Sequence, residues 1–65
     1  MQYGRLALLD GVRLPLQVLR SAAGFYLGTF GDEGPETRES EEYWPTRQQA
    51  EDALRDGTWT QRISP

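Results

Sequence analysis

From Val12 to Leu19 the chain alternates: Val12, Leu14, Leu16 and Val18 on one side, Arg13, Pro15, Gln17 and Leu19 on the other. Period two over eight residues is the pattern of a half-buried strand. Pro15 has no N–H to give a ladder, so it puts this strand at an edge or bends it. Upstream, Tyr3 to Leu9 reads as a partner strand, and Asp10-Gly11 between them is the dipeptide favoured in a type I′ hairpin turn. Downstream, Ser21-Ala-Ala-Gly24 is a connection of small residues. Phe25-Tyr-Leu-Gly-Thr-Phe30 follows, rich in strand formers, and reads as the central strand, with Gly28 a local weak point.

The turn composition of Gly31-Asp-Glu-Gly-Pro35 then predicts a reversal. Thr37 to Trp44 suits a strand returning antiparallel, polar at its start and aromatic at its end. Pro45-Thr46 breaks it. Thr46 with Gln49 three residues later is a capping-box signature, and Gly57 is a good residue just past a helix end. The predicted helix therefore runs from Arg47 to about Asp56. Ala50, Ala53 and Leu54 form its apolar stripe. Gln48, Glu51, Asp52 and Arg55 lie opposite, with Glu51 and Arg55 spaced to pair at i,i+4. Thr58 to Ile63 is a short final strand or ordered tail. We expect Trp44 and Trp59 in the core and Tyr43 partly exposed.

These elements predict a single small α+β domain over residues 1–65. Its sheet is antiparallel with three to four strands, and a single α-helix packs on one face. Sixty-five residues with 37% hydrophobic content support one core. At this size folding buries only about 60% of the unfolded chain's surface, which leaves little room for a deep cleft. There is no Cys, hence no disulfide and no thiolate metal site. No apolar run approaches the ~20 residues that span a bilayer. Leu6-Ala-Leu-Leu9 is followed closely by Asp10 and Arg13, a poor signal-peptide core. The expectation is a cytoplasmic protein.

The chemistry available is narrow. Without His the chain lacks the usual general base near neutral pH, and without Lys it cannot form a Schiff base. Ser21, Ser40 and Ser64 have no such residue to activate them. Glu41 and Glu42 are adjacent, so on a strand they point to opposite faces and cannot share a substrate. Asp32-Glu-Gly-Pro-Glu36 offers oxygen ligands for a hard cation but lacks the ligand spacing of an EF-hand loop. We expect no catalytic residue, no metal site and no cofactor; the protein is read as a binder, not an enzyme.

Charge supplies the candidate surface. The net charge is −3, but it is unevenly placed. Nine carboxylates and three arginines lie between Asp32 and Asp56, a net −6, while the remainder of the chain is +3. The densest stretch, Asp32 to Glu42, holds six carboxylates against Arg38 alone. On an extended strand Glu39 and Glu41 share a face about 6.6 Å apart. That is close to two base-pair steps of about 3.4 Å. Asp52 and Asp56 stand one helical turn apart. Regularly spaced carboxylates of this kind can occupy a groove built for nucleic-acid phosphates; they also serve to solubilise a small domain. A direct nucleic-acid partner is disfavoured, because the field repels a polyanion. The candidate partner-binding residues are Asp32, Glu33, Glu36, Glu39, Glu41, Glu42, Tyr43, Glu51, Asp52 and Asp56, with Tyr43 as an aromatic anchor beside the acidic run.

Three segments, Gly24-Phe-Tyr-Leu-Gly-Thr-Phe30, Arg38-Glu-Ser-Glu-Glu-Tyr43 and Gly57-Thr-Trp-Thr-Gln-Arg62, carry a resemblance over Leu19 to Arg62. The chain resembles small acidic proteins of bacterial mobile elements, and among them anti-CRISPR proteins, in particular inhibitors of type I-C systems. The resemblance implies a non-enzymatic, monomeric inhibitor in the cytoplasm of the host bacterial cell. It implies binding to a subunit of the Cascade surveillance complex, by mimicry of the DNA backbone, so that target DNA is blocked. It implies no membrane. The alternative reading is an interaction adaptor of a plasmid or phage, an antitoxin-like or antirestriction partner.

Overall fold

The computed structural model describes residues 2–64. It is an α+β fold with the element order α1 (Arg5–Leu9), β1 (Gln17–Ser21), β2 (Gly24–Gly31), β3 (Gly34–Arg38) and α2 (Arg47–Asp56). The three strands form one antiparallel sheet in sequence order, so β2 is central, as its composition predicts. β1 pairs with β2 from Gln17 opposite Gly28 to Ser21 opposite Gly24. β2 pairs with β3 from Gly28 opposite Arg38 to Gly31 opposite Gly34, with a bulge that leaves Glu36 without an opposite residue. Pro35 sits on the edge strand β3, where its missing N–H is harmless.

The helix α2 has the predicted bounds. Its Thr46 Oγ1 accepts the Gln49 N–H at 3.2 Å, and Gly57 ends it with φ 71°, in the left-handed region that glycine enters freely. Ala50 and Ala53 are buried, and Ala50 joins Leu16 and Leu27 in the core. Val18, Phe25, Trp44, Leu54 and Trp59 pack around that cluster half-buried, so both tryptophans line the core as expected.

Four local readings change. Residues Tyr3–Leu9 do not form a strand: Tyr3 makes an isolated bridge to Pro15, and Arg5–Leu9 is helical. The stretch contains no β-branched residue, and Leu and Ala are strong helix formers, so the local preference was for a helix. With the strand gone, Asp10-Gly11 closes the helix and makes no hairpin. The alternating run contributes to the sheet only from Gln17, and Pro15 marks the limit. The strand expected over Thr37–Trp44 begins earlier, at Gly34, and ends at Arg38. Beyond it the chain is irregular, held by isolated bridges from Ser40 to Gln61 and from Trp44 to Phe25. Thr58–Ile63 is accordingly an ordered tail with one bridge.

Strand alternation assigns two faces. Val18, Leu27, Thr29 and Thr37 share the face that both helices cover; Leu27 packs under α2, and Thr37 leads to α1. Leu19, Tyr26, Gly28 and Arg38 share the other face, on which neither helix lies.

Candidate functional site

Glu39 is the residue whose position departs most from expectation. It was expected to present its carboxylate to solvent beside Glu41; it is instead fully buried. Thr37 and Glu39 follow the strand alternation onto the helix-covered face, where the first turn of α1 meets them. The Leu6 N–H donates to Oε1 at 2.9 Å and to Oε2 at 3.1 Å, and the Ala7 N–H donates to Oε2 at 3.2 Å. Thr37 Oγ1 donates at 2.6 Å and Gln61 Nε2 at 2.8 Å. Burial alone would push the Glu39 carboxyl up. The donors, Leu6 first, then Thr37, Gln61 and Ala7, outweigh it and hold the group below its usual range. The carboxylate thus caps α1 and ties together the N-terminal helix, β3 and the C-terminal tail. Its role is internal.

Glu42 is half-buried and accepts the Thr60 N–H with both oxygens, at 2.9 and 3.0 Å. Burial would raise its carboxyl, and the Thr60 bond overrides that and lowers it. Glu41 is exposed, 3.7 Å from the Arg62 guanidinium. On α2 the expected Glu51–Arg55 pair is replaced: Arg55 reaches Asp52 at 3.1 Å and Asp56 at 3.0 Å. Glu51 is exposed and without an ion pair among the described residues.

The carboxylates left unengaged within the sheet are Asp32, Glu33 and Glu36. The first two form the tip of the β2–β3 hairpin, and Glu36 is the bulged residue below it. Together with Val12, Leu14 and Gly31 they line an open groove of ≈ 240 Å³. Its lining is part aliphatic and part acidic. Among the described residues no group of three or more His, Cys, Asp or Glu is arranged to hold a metal ion. The acidic run of the sequence is therefore not one continuous surface. Its middle is spent on internal hydrogen bonds, its start forms the hairpin rim, and its helical part shares charge with Arg55.

Tyr43 is 37% exposed and lies on the sheet face away from the helices. Its ring meets Tyr26 edge-on at 5.8 Å, the Arg38 guanidinium carbon sits 4.7 Å from its centroid, and Arg38 donates to its hydroxyl. Phe30, half exposed, adds to the same face two positions along β2 from Gly28. Sequence reasoning had marked Tyr43 but not Arg38 or Phe30. Period two from Tyr26 would have found Phe30.

No protein-family model, curated protein or solved structure matches the chain. Among the described residues no helix is long and apolar enough to cross a membrane.

Proposed function

We propose that the protein is a non-enzymatic binding module that occludes a basic, nucleic-acid-binding surface of a partner through carboxylates at its β2–β3 hairpin. The observation that carries this reading is the groove bounded by Asp32, Glu33 and Glu36, whose carboxylates have no cation partner among the described residues. Exposed carboxylates without internal partners are available to an incoming Arg or Lys, and the Val12 and Leu14 side chains lining the groove suit the stem of such a residue. Glu51 adds an exposed carboxylate on α2, while Glu41, Asp52 and Asp56 are partly matched by Arg62 and Arg55. Glu39 and Glu42 belong to the scaffold. The partner class that the sequence resemblance supports is a Cascade subunit of a type I-C CRISPR system in the cytoplasm of a bacterial host.

Competition tests this reading. Adding the protein to a purified effector complex loaded with a short DNA duplex should release the duplex. Simultaneous occupancy by protein and DNA would contradict it.

A second reading rests on a different observation, the sheet face that neither helix covers. Tyr43, stacked with Arg38 and sharing its sheet face with the exposed Phe30, has the composition of an interface anchor. An adaptor using that face would lose its partner on Tyr43→Ala and be indifferent to charge reversal at the hairpin. The mimicry reading predicts the reverse.

A further inference from the structure

Among the described residues, two arginines without an ion pair lie over the same aromatic ring. Arg20 lies opposite Phe25 in the β1–β2 pairing, so both side chains emerge on the same face. Trp44 bonds Phe25 through both backbone groups, with Trp44 N–H to Phe25 O at 2.7 Å and Phe25 N–H to Trp44 O at 2.8 Å. That fixes where the chain turns at Pro45-Thr46 into α2, and it brings Arg47, the first helical residue, over the same ring. The guanidinium carbons of Arg20 and Arg47 sit 5.7 and 5.4 Å from the Phe25 centroid. Both arginines are exposed, and neither has a carboxylate partner among the described residues.

Each guanidinium loses rotamer freedom by stacking on the ring, and no neighbouring carboxylate among the described residues neutralises it. The attraction of each cation to the face of the ring holds it in place. An anion bound by both would supply the missing counter-charge. The chain has ten carboxylates, yet these two arginines lie over one ring without a carboxylate partner among the described residues.

We propose that Arg20 and Arg47, oriented by Phe25, form a binding site for a phosphate group. A phosphate offers more acceptor oxygens and more negative charge than a carboxylate, so each of two planar guanidiniums can take its own pair of oxygens. The first turn of α2 adds a field of the same sign. This site is independent of the acidic hairpin and carries the opposite charge.

The test follows the arginine side-chain Nε–Hε signals of the intact protein by NMR during titration with sodium phosphate near pH 7, against sodium chloride and sodium acetate at matched ionic strength. Arg55 and Arg62, already paired with carboxylates, are internal references. The expected result is a saturable shift of the Arg20 and Arg47 signals with phosphate, absent with chloride and at least several-fold weaker with acetate. Arg20→Gln should abolish the Arg47 shift and leave the backbone amide spectrum of the core unchanged. A nucleoside monophosphate as a further arm tells a phosphate monoester from the free ion; saturation by either supports the site. Equal shifts in all arginines, equal response to acetate, or an Arg47 shift that survives Arg20→Gln would overturn the proposal.

Discussion

The Glu39 carboxylate accepts the backbone N–H of Leu6 at 2.9 Å, across 33 residues of chain. A five-residue helix cannot sustain itself in water, because nucleation outweighs so few propagation steps. α1 has no side-chain cap of its own at Gly4. The buried carboxylate supplies one from outside, and an anion is the right charge for a helix N-terminus. Glu39→Gln keeps the size but replaces one acceptor with an NH2 group, which then faces either the Leu6 N–H and the Gln61 amide or the N–H groups of Leu6 and Ala7. It should cost about 3 kcal/mol, the scale of charge-assisted bonds lost with donors left buried. Chemical denaturation of the two proteins near pH 7 measures this difference.

The same geometry gives a pH dependence. The Glu39 carboxyl is held below its unfolded value, so the folded state binds fewer protons. The stabilisation is complete above the unfolded pKa of about 4.3 and is lost as pH falls through the folded value. Glu42 acts in the same direction. Thermal midpoints of the wild type should fall on acidification below about pH 4. Those of Glu39→Gln should fall less, retaining only the part due to Glu42. Parallel curves would show that Glu39 is not the group being protonated.

Gly4 is set by close approach. A Cβ there would stand 2.3 Å from Thr29 Cγ2 and 2.7 Å from Glu39 Oε2, although its φ of −69° suits any residue. Gly4→Ala must therefore push α1 off the sheet or displace the carboxylate. A loss of about 2 kcal/mol is expected, the range of overpacking in a core. An increase in the midpoint on this substitution would mean the α1 contact is looser than described.

Two leucines separate the core from its rim. Leu27 is fully buried on the central strand, and Leu54 is half-buried on α2. Leu27→Ala should cost about 3–4 kcal/mol, enough to threaten folding in a domain this small, while Leu54→Ala should cost about half as much. Equal losses would indicate that α2 seals the core more tightly than its exposure suggests.

What the sequence disclosed and what it hid follow one line. The helix α2 was legible to the residue because its start, stripe and stop each depend on local chemistry at Thr46, Ala50, Ala53 and Gly57. The strand β2 was legible from its composition. α1 was not, because a five-residue helix leaves no periodicity to read and the alternation beginning at Val12 invited a strand partner. That single miss propagated. Without a helix N-terminus above β3 there was no visible reason for a carboxylate to be buried, so Glu39 was placed on the surface with Glu41. The Leu6–Glu39 bond at 2.9 Å and the bridge from Ser40 to Gln61 are long-range closures that no local pattern encodes. The candidate acidic site was legible as charge but not as a surface. Arg20 and Arg47 were invisible as a pair, since 26 residues separate them and only the Phe25–Trp44 bridge brings them together.

The most direct test of the binding proposal is the affinity of the wild type and of Asp32→Arg with Glu36→Arg for the effector complex, measured at roughly 50 and 200 mM salt. Both positions are exposed and outside the core, so the double variant should keep the wild-type thermal midpoint within about 0.5 kcal/mol of stability. The account predicts that wild-type binding weakens steeply with salt and that the double variant binds at least tenfold more weakly at low salt, because attraction to a basic surface becomes repulsion. A folded double variant that binds as tightly as the wild type, with an affinity insensitive to salt, would contradict it.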